Sequence, residues 1–125
     1  MRTRALLIPL IAVTVALGAD VAAAEHHPAT ARAASAVHVV KFGEYYYRPA
    51  RLTIHAGDKV RFVNAGKIQH TVADSTKGGT IRSKLIHPRP LSHGQSQTVT
   101  FTRKGTVYYL CTFHPTRMRG VIVVR

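Results

Sequence analysis

Beyond residue 36 the chain reads as short apolar and polar alternations, each only a few residues long, separated by turn formers. Val37-His38-Val39-Val40-Lys41-Phe42 opens the series, and Arg51-Leu52-Thr53-Ile54 follows Pro49 with the strand period of two. Ala56-Gly57-Asp58-Lys59 is a turn, after which Val60 to Val63, His70 to Ala73, Gln97 to Phe101, Val107 to Cys111 and Val121 to Val124 complete about seven strands. Gly, Asn, Asp or Pro bounds each run. So many short strands in about a hundred residues predict a two-sheet antiparallel sandwich. Asp74 to His93 breaks the rhythm, with Gly78-Gly79, Pro88 and Pro90 among Lys77, Arg82, Lys84 and Arg89. A long surface excursion with one irregular strand around Ile81 to Ile86 is expected there.

The first 36 residues follow another logic. Arg2 and Arg4 precede an apolar stretch from Ala5 to Ala19, and small residues stand at Ala22 and Ala24, the layout of a secretory signal over residues 1–24. Pro9 and Thr14 interrupt the stretch, which falls short of the roughly 20 apolar residues that a membrane span needs. Residues 25–36 are Ala-rich without alternation and are expected to form a flexible leader; residues 37–125 are the folded domain. Cleavage after Ala24 leaves 101 residues, enough for one small core. The protein is therefore expected to be exported, periplasmic or at the cell surface. A new terminus at Glu25-His26-His27 would place a histidine third from a free amine, a square-planar nitrogen set suited to Cu(II) or Ni(II).

Charge narrows the partners. The chain has 18 Lys and Arg against 5 Asp and Glu, a net charge of +13. Loss of residues 1–24 leaves sixteen cations against Glu25, Glu44, Asp58 and Asp74, or +12. Such a surface attracts acidic proteins and anionic cell-surface polymers or lipids. Export and the absence of a nucleic-acid-binding motif argue against nucleic acid. With so few carboxylates, and no Ser-His-acid arrangement or phosphate loop, acid-base catalysis is poorly supplied, and a monomeric protein that is not an enzyme is expected.

The chemistry-bearing stretch is Cys111-Thr112-Phe113-His114-Pro115-Thr116-Arg117-Met118, which sets the single cysteine, a histidine and a methionine on one loop between two apolar runs. One cysteine allows no internal disulfide, so in an exported chain it is a metal ligand, a buried apolar residue or half of an intermolecular pair. Thiolate and thioether sulfur are soft ligands for Cu(I), and imidazole serves both copper oxidation states. His70, at the exit of the loop after Val60 to Val63, is the candidate second imidazole. Zinc also takes Cys and His, but its structural sites carry more thiolates and Met is not a normal zinc ligand, which favours copper. A copper oxidase or nitrite reductase would need further ligands or a second domain. His38 and His55 read as surface or satisfied sandwich residues, and His87 and His93 as flanks of the basic excursion able to form a weak accessory site.

On these residues the chain resembles the cupredoxins, small blue copper proteins that include plastocyanin, amicyanin and pseudoazurin. The resemblance runs from about Val37 to Arg125 through Phe42 to Pro49, Leu52 to Asn64, Gly94 to Phe101, Gly105 to Cys111 and Met118 to Val124. It implies an all-β Greek-key sandwich of about seven to eight strands with one copper per chain. Its ligands would be His70, Cys111 and His114, with Met118 as a weak axial thioether. Three residues separate His114 from Met118, where amicyanin-like loops have two and plastocyanin-like loops four, so the Gln69 carbonyl competes for the axial place. Thr71 and Thr112 fall where relatives tie the ligand loops together, and His114 inherits the role of electron port. The implied function is to carry single electrons between redox partners. A copper-delivery protein without electron transfer, and a polyanion-binding sandwich with a vestigial site, are the alternatives. Lys67, Arg117 and Arg119 on the ligand loops point to redox partners with acidic patches.

Overall fold

Inward and outward positions alternate most clearly in Lys59–Asn64, as the pattern predicts: Val60, Phe62 and Asn64 are buried while Lys59 and Arg61 are exposed. The computed structural model describes residues 33–125, with Pro9 and Ala12 as isolated positions before them. The expected signal, most of the leader and the Glu25-His26-His27 terminus lie outside the described residues. The described chain forms β1 (Val37–Gly43), β2 (Tyr46–Arg48), β3 (Arg51–Ile54), β4 (Lys59–Asn64), β5 (Ala73–Ser75), β6 (Ser96–Thr100), β7 (Gly105–Leu110) and β8 (Arg119–Val124). Among the described residues there is no helix, and so none long and apolar enough to cross a membrane.

The strands make two four-stranded sheets, ordered β2-β1-β4-β6 and β3-β8-β7-β5, which pack as the expected all-β sandwich. Each sheet is mixed where antiparallel pairing was expected: β1 runs parallel to β4, and β3 parallel to β8. Alternation specifies which face of a strand is buried and is silent on the direction of its neighbour. Between β1 and β4 the chain crosses to the other sheet to form β3, and it returns in its original direction.

Val40, Phe42, Val60 and Phe62 of one sheet face Ile54, Tyr109, Ile122 and Val124 of the other. Each fully buried phenylalanine contributes about 2–3 kcal/mol of burial. Tyr109 packs edge-on against Tyr47 at 4.7 Å and Phe62 at 5.3 Å. Its partner across the β7–β8 ladder is Gly120, where a Cβ would overlap the Tyr109 ring.

The excursion after β5 contains no strand around Ile81 to Ile86, only isolated bridges from Ser75 to Ile81 and from His70 to Leu91. Asp74 explains this. Its carboxylate accepts hydrogen bonds from the backbone N–H of Ile86 at 2.7 Å, Leu85 at 3.0 Å and Lys84 at 3.3 Å. Amides that point at one side chain cannot join a ladder. The segment is thereby pinned with Ile86 and Leu91 buried in the core.

Candidate metal centre

Cys111 and Met118 are the next antiparallel partners after Leu110 and Arg119 on the β7–β8 ladder. The Cys111 N–H donates to the Met118 carbonyl at 3.0 Å, so both side chains leave the same face and are fully buried in the core. Between them the loop winds tightly. His114 N–H donates to the Cys111 carbonyl at 3.1 Å, and Met118 N–H to the His114 carbonyl at 3.0 Å. This winding returns Nδ1 of His114 to 3.7 Å from the Cys111 sulfur.

His70 reaches the same sulfur from the loop after β4. Asn64, fully buried at the end of β4, shapes that loop: its amide donates to the carbonyls of Ile68 at 2.8 Å and Leu91 at 2.7 Å, and its Oδ1 accepts from Gly66 N–H at 2.8 Å. His70 then bridges to Leu91 through two backbone hydrogen bonds, 2.9 and 3.2 Å long. Its ring is fully buried, with Nδ1 3.8 Å from Cys111 Sγ. Burial pushes this imidazole below its usual pKa range, against the opposing pull of Glu44, and so favours the neutral form that binds metal.

These distances fit one ion. Metal bonds of about 2.0 Å to nitrogen and 2.3 Å to thiolate, opened to roughly 120°, would separate sulfur and nitrogen by about 3.7 Å. His70, Cys111 and His114 present their donor atoms within 4.8 Å of one another, with two soft or borderline donor types that suit copper.

A set of polar side chains restrains these three. Thr71 N–H points at the Cys111 sulfur at 3.4 Å and its hydroxyl lies 3.7 Å away. Thr112 N–H donates to Thr71 Oγ1 at 2.8 Å, and the two hydroxyl oxygens are also 2.8 Å apart. Thr71 Oγ1 can therefore accept twice from Thr112 and turn its own hydrogen to sulfur. The Tyr47 hydroxyl donates to the Thr71 carbonyl at 2.6 Å. From the β1–β2 turn, Glu44 Oε1 accepts from Lys67 N–H at 2.6 Å and Ile68 N–H at 2.9 Å, and lies 3.5 Å from His70 Nε2. Those amides, Ile68 first, hold the carboxyl below its usual range. Gly66 leaves room for it, since a Cβ there would fall 2.5 Å from Oε1.

The expected pairing of Thr71 with Thr112 is therefore present. Glu44, Tyr47 and the loop-shaping role of Asn64 escaped the sequence reading. Gln69 donates through its side-chain amide to Ser92 Oγ at 3.1 Å. Of the other histidines, His38 pairs with Asp58 at 2.9 Å and His93 meets the Gly66 carbonyl at 2.8 Å. Among the described residues His87 and His93 join no metal-spaced group.

Comparison with known proteins agrees with this geometry. The sequence pattern of copper binding proteins, plastocyanin/azurin family, matches residues 34–125. Amicyanin of Paracoccus versutus is 33% identical over 86 residues, 69% of this chain and 63% of that protein, so the chain spans just under two thirds of the relative's length. Plastocyanin A/B of Petroselinum crispum is 30% identical over 87 residues, 66% of this chain and 90% of the relative. A solved structure, the Novel Purple Cupredoxin from Nitrosopumilus maritimus, aligns with a TM-score of 0.64 and 27% identity over 73% of this chain and 100% of that one.

Proposed function

The chain belongs to the plastocyanin/azurin family of copper-binding proteins, a cupredoxin, and from that premise we propose that it carries single electrons between redox proteins through one copper. The ligands are His70, Cys111 and His114, with Met118 as a weak axial thioether. The observation that carries this reading is the spacing of Cys111 Sγ to the two Nδ1 atoms, 3.8 and 3.7 Å. Bound there, copper supplies a one-electron couple between Cu(II) and Cu(I).

The chain's own part is to keep the donors still. The buried positions of His70, Cys111 and Met118 exclude water, and Thr71 restrains the sulfur from two directions. Such outer bonds orient ligands and tune the metal. His114, half-buried, gives the electron its way to the surface. Residues 1–24 act as an export signal and residues 25–36 as a leader to the 37–125 domain, which places the carrier outside the cytoplasm. Lys67 and Arg117, exposed on the ligand loops, and Arg119, exposed at the start of β8, support an acidic partner surface.

Copper loading tests the reading: an intense visible thiolate-to-copper band is expected in the wild type and its loss in Cys111→Ser. A colourless protein after loading overturns it. Met118→Gln should keep the band and lower the reduction potential, because a harder oxygen donor favours Cu(II). Reversing Arg117 and Arg119 to Glu should slow stopped-flow electron exchange with an acidic partner at low salt in protein that still takes up one copper.

A further inference from the structure

The two imidazoles are held in different ways. His70 is fully buried, bonded through its backbone to Leu91 and faced by Glu44. His114 is half-buried on a loop of turns, and among the described residues the one polar protein partner of its ring is the Cys111 sulfur. What else holds it is aromatic. Tyr45, on the β1–β2 turn, meets the His114 ring at a centroid distance of 4.6 Å and an interplanar angle of 73°. The same tyrosine lies 6.3 Å from the His70 ring at 87°, and the Arg117 guanidinium sits 4.5 Å over its face. Tyr45 is 37% exposed, and its hydroxyl makes no hydrogen bond to any described residue, so its ring is the part in use. The turn that carries it is fastened by Glu44 to the amides of Lys67 and Ile68.

Metal leaves such a site through the donor that can swing outward. Cys111, Met118 and His70 are fully buried, which leaves His114. We infer that Tyr45 is a positioning residue that latches His114 onto the metal position, with Arg117 strapping the ligand loop to the tyrosine's face. The inference rests on the copper reading for the identity of the metal and on the aromatic geometry for the latch. Edge-on aromatic pairs and a cation over a ring each add attraction beyond simple burial; here the first acts on half-buried His114 and the second on the tyrosine that holds it.

The test is copper loss. Copper-loaded protein, reduced with ascorbate, is mixed with the Cu(I) chelator bicinchoninate and the rate of extraction is followed. Tyr45→Leu should release copper roughly three- to tenfold faster, the scale of one such aromatic contact. Tyr45→Phe should stay near the wild-type rate, and Arg117→Leu should fall between. Extraction from Tyr45→Leu at the wild-type rate overturns the latch, as does a Tyr45→Phe rate equal to that of Tyr45→Leu. A wild-type rate in Arg117→Leu removes the strap. In metal-free protein, the ring-current shift of the His114 ring protons by Tyr45, lost in Tyr45→Leu, reads the same stack by NMR. A protein that takes up no copper but shows this shift fails the electron-carrier reading and keeps the stack. A blue protein with neither the shift nor faster extraction does the reverse.

Discussion

At the end of the sandwich away from the metal centre, the loops are tied by main chain. Ala56 N–H donates to Arg125 O at 2.9 Å, Gly57 N–H to Phe101 O at 2.7 Å, Phe101 N–H to Asp58 O at 2.9 Å and Arg125 N–H to Ile54 O at 2.9 Å. At the metal end main-chain bonds are supplemented by a dense set of side-chain ones: Asn64 folds the loop before His70, Glu44 caps it from another turn, and Thr71 and Tyr47 join the two loops. Main-chain bonds form with almost any residue, whereas side-chain bonds depend on identity. The metal end is thus where position depends most on residue identity, and where single substitutions should do most damage. Asp58 is the exception at the far end, with bonds from Ala36 N–H, His55 N–H and His38.

Asn64→Ala should show the largest effect. It removes three hydrogen bonds to the backbone and leaves Ile68 O and Gly66 N–H without a partner among the described residues, and at about 1 kcal/mol or more for each bond should cost roughly 3 kcal/mol in urea unfolding of the metal-free protein. A cost under about 1 kcal/mol would erase the asymmetry between the ends. Next is Gly66→Ala, which must displace Glu44 and the Gly43 backbone. A loss of about 1–3 kcal/mol is expected, with a changed visible spectrum of the copper form. Thr71→Val comes third. It keeps the shape but removes the acceptor for Thr112 N–H and the donor to sulfur, so about 1–2 kcal/mol should be lost and the thiolate band should move. Thr112→Val, which leaves the sulfur's own donors in place, should move that band less.

The smallest effect, and the one that reaches the far end, belongs to Asp58→Asn. His38, followed by the His55 and Ala36 amides, holds this carboxyl at about 2, below the roughly 3.9 of an unfolded aspartate. Its stabilisation is fully present above about pH 4 and is lost as pH falls through about 2. Thermal melts of wild type and Asp58→Asn should therefore converge across that window. A difference that persists unchanged below it would show that the carboxylate's charge is not what ties this end.

Much of this architecture was readable because burial alternates with period two. The inward set Val40, Phe42, Val60, Phe62 and Ile122 stands out in the sequence, as does the loop bounded by Cys111 and Met118. Short or contextual elements were not readable. Tyr46–Arg48 is too brief to show a period, and the turn before it is made by Glu44 and Tyr45, neither of them a turn former. His70, expected to open a strand, makes a lone bridge, because the strand itself starts at Ala73. Glu44 and Tyr45 act on residues more than twenty positions away, and no local pattern encodes such a meeting. The loop residues His70, Cys111 and His114 were legible for a different reason: soft and borderline donors are rare enough that their types alone narrow the chemistry.

The order of strands also bears on how the protein is made. β8 is the latest of the eight described strands in chain order, yet it lies between β3 and β7 in its sheet. By Thr100 a nascent chain already has every strand of the β2-β1-β4-β6 sheet, but it has no centre for the facing one. The ligand loop lies directly before β8 and closes only when Met118 pairs with Cys111. Long-range pairing of this kind waits for the whole segment to be free. Neither the second sheet nor the pocket framed by Cys111 and Met118 can therefore form until β8 has been synthesised and is free to insert between β3 and β7.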